Sequence, residues 1–273
     1  MQRKNKNSSV ESHNKKLSIQ FSLDGFSFCI EDLASKDIIT FTEYPFEKTL
    51  STPELLYDNV LQIFADDKDL QQDFSQITVV HQNNLSTLVP DEFFDKTKLK
   101  LYLDFNVKTL SNDHIVFDDL QNLPAKNVYI PFVNINNYLF QNFGEFEYKH
   151  HSTLLIDNLL NHSKNNPQKQ FFVNVYGSNL DIIVIENEQL LLYNSFSFTT
   201  KEDFIYYILF VAEQLQLDPN SFKLVFIGTI NKESELYSIT YNYVRNIDFI
   251  KPKSVFLANT NQFSHHSNFI LIS

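Results

Sequence analysis

LSIQFSLDGFSFCI, residues 17–30, and FFVNVYGSNLDIIV, residues 171–184, follow the same pattern. In both segments apolar side chains alternate along two short runs that are separated by a polar turn containing glycine. Alternation with a period of two indicates a β-strand, and two such runs around a short turn indicate a β-hairpin. Phe171 lies 154 positions after Leu17, so the chain carries the same hairpin twice.

The elements that follow each hairpin also come in the same order. A third strand is followed by a helix whose start is marked by a hydroxyl residue with a glutamate three positions later, Ser51 in the first copy and Thr199 in the second. After each helix comes a strand that opens on phenylalanine, at residues 74–80 and 222–228. The chain is therefore expected to contain one folding unit twice.

Three strands, a helix and a further strand form the ribonuclease H-like unit, and two such units in tandem form the actin-like ATPase architecture. Three consecutive strands without a helix between them favour an antiparallel meander over a doubly wound parallel sheet. The sequence thus predicts an α/β fold made of tandem duplicated ribonuclease H-like units, a two-lobed actin-like ATPase fold. We place a disordered polar tail at residues 1–16, the first lobe at residues 17–149 and the second lobe at residues 150–273.

The rest of each copy carries weaker patterns. Further strands are predicted at residues 99–105, 115–117, 128–133, 254–257 and 268–272, and further helices at residues 152–162 and 234–243.

Composition limits the compartment and the partners. The chain of 273 residues is 43% hydrophobic and 20% charged, as in a folded protein, and its apolar runs are far shorter than a membrane helix needs. The basic N-terminus lacks the apolar centre of a secretory signal, and the single cysteine, Cys29, excludes an internal disulfide. We therefore expect a cytoplasmic protein without a membrane span. A net charge of -11 repels nucleic acid, so no nucleic-acid partner is expected.

Glycine is scarce in this sequence. The four glycines are Gly25, Gly144, Gly177 and Gly228, and neither GxGxxG nor GxxxxGKS nor GxxxxGKT occurs. Those motifs need glycine because only a residue without a Cβ lets backbone N–H groups approach phosphate oxygens closely. Rossmann-type and P-loop nucleotide binding are therefore excluded.

Three segments carry a resemblance to a known family: the first hairpin, STLVPDEFFD at residues 86–95, and VYIPFVNINNYLFQNFGEFEYKHHSTLLI at residues 128–156. On these segments the chain resembles a bacterial family of unknown function, typical of Bacteroidetes, with a degenerate actin-like ATPase fold. It is more remotely similar to the pilus-assembly protein PilM and the cell-division protein FtsA. The resemblance implies the fold and no particular activity.

An actin-type ATPase holds the β- and γ-phosphates between two hairpin loops, with an acidic residue beside each loop for Mg²⁺ and a Gly-Gly turn against the adenosine. Small residues permit the backbone approach, and hard oxygen ligands suit Mg²⁺. The corresponding positions here are Asp24 and Gly25 in the first loop, Gly177 and Ser178 in the second, and Gly228 in the adenosine turn.

The match to a working ATP site is incomplete. Ser178 stands where the second loop needs an acid, Asp181 lies further along the strand, and Thr229 replaces the second glycine of the adenosine turn. Asp24 and Gly25 also match a tight hairpin turn in which both residues adopt positive φ. We therefore predict a vestigial nucleotide site without catalytic residues or a metal. No cofactor is expected, and ATP with Mg²⁺ is the alternative.

Other reactive side chains form no recognisable site. Neither His150-His151 nor His265-His266 can chelate one ion by itself, because adjacent side chains diverge on a strand or helix. We predict that they are surface or partly buried histidines, and that Cys29 is a small core residue rather than a nucleophile.

Aromatic residues are abundant, with 27 Phe and 13 Tyr, and they are dense at residues 138–148 and 204–210. Such side chains are enriched at protein interfaces because they bury a large area with few rotatable bonds; packing in the core is the alternative. Our leading hypothesis is a non-catalytic actin-like protein that binds an unidentified protein or peptide. The alternatives are a weak ATP-binding protein or ATPase that retains Asp24, and a nucleic-acid factor that uses the basic tail.

Overall fold

The structure, a computed structural model that describes residues 14–251 and 266–272, contains three β-sheets. Contacts between residues divide the described chain into two compact units. The first unit holds residues up to 83 together with 109–116 and 129–151, and the second unit holds the remaining described residues. Both units thus draw on segments that are separate in the sequence, and the division into lobes after residue 149 stays a prediction.

The strands and helices are numbered in chain order. The strands are β1 Lys15–Ser22, β2 Gly25–Asp32, β3 Ile38–Pro45, β4 Gln76–His81, β5 Ser86–Pro90, β6 Val116–Asp119, β7 Ala125–Tyr129, β8 Glu147–His150, β9 Gln170–Tyr176, β10 Asn179–Glu186, β11 Gln189–Ser197, β12 Lys223–Gly228 and β13 Asn246–Phe249. The helices are α1 Pro53–Asp66, α2 Leu99–Asp104, α3 Val133–Phe143, α4 His151–His162, α5 Lys201–Gln214, α6 Glu235–Tyr243 and α7 Phe269–Ile272.

The first unit is built on a five-stranded sheet in the order β3-β2-β1-β4-β8. Strands β1 to β3 form an antiparallel meander, and β4 and β8 are parallel to β1. Helices α1 and α3 pack on one face of this sheet, with Val60 of α1 and Leu139 of α3 fully buried. Burying one such aliphatic side chain contributes about 1.5–3 kcal/mol, so the packing of α1 and α3 on this face stabilises the unit.

The second unit repeats this topology in the order β11-β10-β9-β12-β13, with the same strand directions. The two hairpins also share their register, since Ile19 pairs with Phe28 and Val173 pairs with Ile182. Helix α5 covers the face that corresponds to the α1 face, and α6 adds partly buried side chains to the same core. Both predicted three-strand meanders and both helices that follow them are confirmed.

A smaller sheet in the order β5-β7-β6 lies almost entirely within the second unit. Helix α2 follows β5 in the sequence and contributes one fully buried side chain, Leu103.

Helices α1 and α5, which follow the two meanders, each start one residue later than the sequence pattern predicts. The N-caps are Thr52 and Thr200 rather than Ser51 and Thr199. Thr200 forms a capping box with Asp203, whose carboxylate accepts from the Thr200 N–H at 2.9 Å while the Thr200 hydroxyl accepts from the Asp203 N–H at 3.1 Å. The glutamate expected to complete the box therefore belongs to the exposed face of α5.

Two predicted strands are wrong. Residues 99–105 form α2, because the carboxylate of Asp95 accepts from the Thr97 N–H at 2.9 Å and starts a 3₁₀ turn that continues into the helix. Residues 268–272 contain the short helix α7. The segment 128–133 divides between the end of β7 and the start of α3, and the strand predicted at residues 254–257 lies outside the described residues. The sequence patterns missed β5, β8, β13 and the whole of α3.

Within the part of the chain that the structure describes, no helix has the length and hydrophobicity that a membrane crossing requires.

Replacing Thr200 by alanine should lower the free energy of unfolding by about 1 kcal/mol, because the Asp203 N–H loses its acceptor. Thr199→Ala is the matched control, since the Thr199 backbone still donates to Asp203, and it should leave stability within about 0.5 kcal/mol of wild type. Urea unfolding of both variants checks this, and equal losses would contradict the cap assignment.

Candidate functional site

The turn between β1 and β2 is the predicted position of the first phosphate loop. Ser22 pairs with Gly25, so the two turn residues are Leu23 and Asp24, and Gly25 already belongs to β2. Neither Asp24 nor Gly25 has a positive φ, so the predicted left-handed Asp-Gly turn is wrong. Gly25 instead accommodates the neighbouring strand, because a Cβ there would lie 3.0 Å from the carbonyl oxygen of Tyr44.

The polar groups of Asp24 are engaged within its own unit. Its carboxylate Oδ1 accepts from the Thr49 hydroxyl at 2.5 Å, and its carbonyl accepts from the Phe46 N–H at 2.9 Å. Its own N–H donates to the Ser22 hydroxyl at 3.1 Å. Asp24 therefore ties the β1–β2 turn to the segment that follows β3.

The second predicted loop, Gly177-Ser178, joins β9 and β10. Gly177 has a φ of 52°, a left-handed value that favours glycine, and Ser178 is exposed. The Ser178 carbonyl accepts from the Phe198 N–H at 2.9 Å. This segment is thus a hairpin turn without an acid, and a hydrogen bond joins it to the residue that follows β11.

Gly228, at the predicted adenosine turn, lies directly against the neighbouring strand β9. A Cβ at this position would lie 2.0 Å from the carbonyl oxygen of Val175, and the φ of 86° also favours glycine. The Gly228 N–H donates to the His266 carbonyl at 2.7 Å. The N–H and hydroxyl of Thr229 both donate to the Val175 carbonyl, at 2.7 and 3.2 Å. The polar groups of this turn are therefore directed at the protein itself.

Three of the five predicted site positions share one end of the second sheet. Gly228 pairs with Val175, and the Gly177-Ser178 turn begins two residues after Val175. The other two positions belong to the first unit. In the first unit, Phe21 occupies the position that Val175 occupies in the second. Phe21 pairs with His81, so His81 stands where the second unit has Gly228. A vestigial nucleotide site made of these residues stays a prediction.

A buried carboxylate lies on the face of the second sheet opposite α5. Asp181 is fully buried and accepts from Asn174 Nδ2 at 2.9 Å and from the hydroxyls of Tyr176 and Tyr193 at 3.3 Å each. Burial, and then the charge of Asp181, raise the pKa of both tyrosines well above its usual value, so both hydroxyls stay protonated as donors. A buried carboxylate needs such donors to offset its desolvation.

This cluster continues through side chains of neighbouring elements. Ser152 of α4 hydrogen-bonds with Tyr193, and Asn127 Nδ2 donates to both Ser152 Oγ and Thr153 Oγ1 at 2.9 Å. The Thr153 hydroxyl in turn donates to Asp118 Oδ2 at 2.8 Å. The sequence pattern missed this network, because its members come from six separate elements, β6, β7, α4, β9, β10 and β11.

His81 is a buried neutral histidine. The Phe132 N–H donates to its Nδ1 at 3.1 Å, so Nε2 carries the proton and donates to Asn136 Oδ1 at 3.0 Å. Burial lowers the pKa of His81 to about 3, against a weaker opposing effect of the Asn136 hydrogen bond. Its ring also meets the edge of Phe21, with centroids 4.9 Å apart. The residue therefore packs as an uncharged aromatic side chain.

His150 and His151 are both fully buried, so their prediction as surface or partly buried residues is wrong. His150 pairs with His81 across β4 and β8, and burial lowers its pKa well below the usual value. The burial follows from the position of these residues at the junction of β8 and α4, which the sequence pattern did not show.

No group of three His, Cys, Asp or Glu side chains among the described residues could hold a metal ion. His265 lies outside the described residues, and His266 Nε2 donates to the Ile230 carbonyl at 2.7 Å. Cys29 is buried, and burial raises the pKa of its thiol to about 12, so it stays protonated. The prediction of Cys29 as a core residue is confirmed.

An aromatic ladder of four rings runs from β11 across α5 in the second unit. Phe196 stacks on Tyr207 with centroids 4.5 Å apart. Tyr206 contacts Tyr207 at 5.5 Å and stacks on Phe210 at 5.9 Å. Tyr206 is 59% and Phe210 41% exposed, whereas the other ladder residues are half-buried. Part of the aromatic segment 204–210 is therefore surface, while its remaining apolar residues pack in or against the core.

The other aromatic segment, residues 138–148, mostly fills the first core. Tyr138, Phe143 and Phe146 pack against the buried cluster of the first unit, and Phe140 is the exposed exception, at 59%. For this segment the core interpretation is the correct one.

The family of the chain follows from comparison with known proteins. The model of DUF3822, a family described as a protein of unknown function, matches residues 4–247. This chain belongs to the DUF3822 family. None of the curated proteins matches it.

Solved structures place this DUF3822 chain in the actin-like ATPase fold. A Bacteroides thetaiotaomicron VPI-5482 protein with an actin-like ATPase fold and unknown function is 24% identical, with a TM-score of 0.78 over 91% of this chain and 96% of that chain. The PilM-PilN type IV pilus biogenesis complex contains a chain that is 11% identical, with a TM-score of 0.58 over 94% of this chain and 96% of that chain. The predicted fold class and the resemblance to a family of unknown function and to PilM are confirmed.

Gly228→Ala should destabilise the protein strongly, because the added Cβ would overlap the Val175 carbonyl oxygen. Gly144→Ala is the matched control: Gly144 also has a positive φ, 81°, yet a Cβ there meets nothing within 4 Å. We expect the Gly228 variant to lose at least about 2 kcal/mol more than the Gly144 variant in urea unfolding. Equal losses would show that φ alone, and not the contact with β9, requires glycine.

Stability should fall as the pH falls from 7 to 5, partly because of His81. Its pKa is about 3 in the folded chain, so the unfolded chain binds a proton below about pH 6.5 while the folded chain does not. This unfavourable difference reaches about 2 kcal/mol at pH 5, and stability returns as the pH rises. In urea unfolding at several pH values, His81→Gln should flatten the pH dependence, whereas His114→Gln at an exposed histidine should not. Identical slopes for all three proteins would refute the role of His81.

Proposed function

We propose that this chain is a pseudo-ATPase of the actin-like fold, a non-catalytic protein that binds a partner protein or peptide. The observation that carries the proposal is the closure of the turn at Gly228. Its N–H binds the His266 carbonyl, and Thr229 binds the Val175 carbonyl. A nucleotide base would have to displace both contacts, at a cost of roughly 1 kcal/mol or more for each hydrogen bond left unmade.

The acidic groups expected beside Mg²⁺ support the same proposal. Asp181, the acid nearest the second loop in sequence, is fully buried and accepts three hydrogen bonds. Asp24 accepts from Thr49 within the first unit. Mg²⁺ requires oxygen ligands in near-octahedral geometry with several waters, and a carboxylate held by three protein donors is a poor ligand for it. Of the five vestigial positions, Asp24, Gly177, Ser178 and Gly228 are therefore proposed to form turns, and Gly25 to permit the close approach of β3 to β2.

Partner binding is supported by the aromatic ladder, because exposed stacked rings are the kind of surface that protein interfaces use. The PilM-PilN structure is a complex of a protein with this fold, which makes a protein partner a reasonable analogy. We also propose that the two sheets arose by duplication of one unit, with lobes at residues 17–149 and 150–273. Their common strand order and hairpin register support this.

Mg-ATP at about 1 mM should leave the melting temperature unchanged. A ligand present at tenfold excess over its Kd raises stability by about 1.4 kcal/mol, so the absence of a shift means a Kd weaker than about 1 mM. Asp24→Asn, the companion variant, should melt at a lower temperature than wild type because Thr49 and the turn lose an ionised acceptor.

The controls are AMP and Mg-ATP with EDTA. A rise of several degrees with Mg-ATP that EDTA and Asp24→Asn both abolish would show a working nucleotide site. That outcome would replace the proposal with the weak ATP-binding protein or ATPase.

A further inference from the structure

We propose that the exposed face of α5 is the docking surface for an amphipathic helix of a partner protein, one whose apolar stripe is flanked by lysine or arginine. This inference rests on the proposed function, since it names where the partner binds and what its chemistry is.

Two exposed aromatic side chains form an apolar ridge along the outer face of α5. Tyr206 and Phe210 are four residues apart and lie on one face, opposite the residues that α5 buries in the core. Ridges of this i, i+4 kind pack into the grooves of a second helix. Tyr206 and Phe210 already stack on each other, and Tyr206 meets Tyr207 edge-on, which in turn stacks on Phe196. Little side-chain entropy is therefore lost when the two exposed rings are covered.

The charges around this ridge are acidic. Glu202 and Glu213 are exposed at its two ends, about 16 Å apart along the helix at 1.5 Å per residue. Among the ion pairs between described residues, neither glutamate takes part, and the neighbouring Lys201 is paired with Glu235 at 3.5 Å. An apolar stripe with a carboxylate beyond each end complements a helix that carries Lys or Arg at both ends of its own stripe.

The same charges disfavour other occupants. A second copy of this chain docked across Tyr206 and Phe210 in an antiparallel, twofold arrangement would place Glu202 of each copy against Glu213 of the other. Like charges in that position oppose association. An anionic lipid surface is repelled by the two glutamates and by the net charge of -11.

Binding of designed helical peptides to the full chain tests the proposal. The probe is a fluorescently labelled helix of about 18 residues, long enough to cover the ridge, with leucine along one face and lysine on the rest. The matched probe carries glutamate in place of lysine. Fluorescence anisotropy at low and high salt measures both. We expect the leucine–lysine helix to bind wild type more tightly than the leucine–glutamate helix, with an affinity that falls as salt rises.

Three double variants locate the surface. Tyr206→Ser with Phe210→Ser should weaken binding by about tenfold or more, because buried aromatic anchors dominate such contacts. Phe93→Ser with Phe105→Ser removes two exposed rings of the same unit, 67% and 78% exposed, and should bind like wild type. Glu202→Gln with Glu213→Gln should weaken binding and reduce its salt dependence. Melting curves confirm that each variant is folded.

Several outcomes would overturn the proposal: no binding of the leucine–lysine helix, equal binding of the two helices, or equal losses in the ladder and control variants. Sedimentation that shows a wild-type dimer dissociated by the Tyr206 and Phe210 changes would reassign the face to a second copy of the chain. The assay contains no nucleotide. A negative result in the peptide assay therefore contradicts this docking surface alone, whereas a Mg-ATP shift in the melting temperature contradicts the non-catalytic function alone.

Discussion

The close approach of β12 to β9 is the constraint on which one end of the second sheet depends. The Val175 carbonyl oxygen lies so close to Gly228 that a Cβ there would overlap it. Gly228 also has a positive φ, and the chain leaves the sheet at this residue. The turn then forms hydrogen bonds from Gly228 to His266 and from Thr229 to Val175. The glycine that resembles part of a nucleotide-binding turn is thus explained by strand packing, and its backbone donor is used by the protein.

The two sheets share a register and differ in chemistry on the face opposite the main helices. Asn174 pairs with Asp181 in the second sheet, where the first sheet has Gln20 paired with Ser27. A buried charge is tolerated only with donors around it, and the second sheet supplies them from Asn174 and two tyrosines with raised pKa values. The same backbone plan therefore holds a carboxylate network in one unit and none at the corresponding position of the other. Equal topology does not imply an equal site.

Aromatic residues serve two purposes in this chain, and their sequence density does not distinguish them. The rings of residues 138–148 mostly complete the core beneath α1 and α3, whereas Tyr206 and Phe210 turn outward from α5. The difference follows from helix geometry: a 14-residue helix packed on a sheet buries one stripe, and any ring outside that stripe is exposed. The docking surface that we propose on α5 combines these exposed rings with two exposed acids, Glu202 and Glu213, and so offers both apolar area and charge complementarity.

The sequence by itself determined the two hairpins, the helices after them and hence the actin-like fold class, because alternation, helical spacing and repetition are local and survive in any context. It did not determine the position of the first hairpin turn, which consists of Leu23 and Asp24 and leaves Gly25 in β2. Nor did it determine the helix at Leu99–Asp104, because the apolar alternation of that segment fits a strand equally well. It predicted five site positions, but it did not show that a side chain at position 228 would overlap the neighbouring strand β9. Only the tertiary structure decided that point, the burial of His150 and the exposure of Tyr206, because each depends on contacts between residues far apart in the chain.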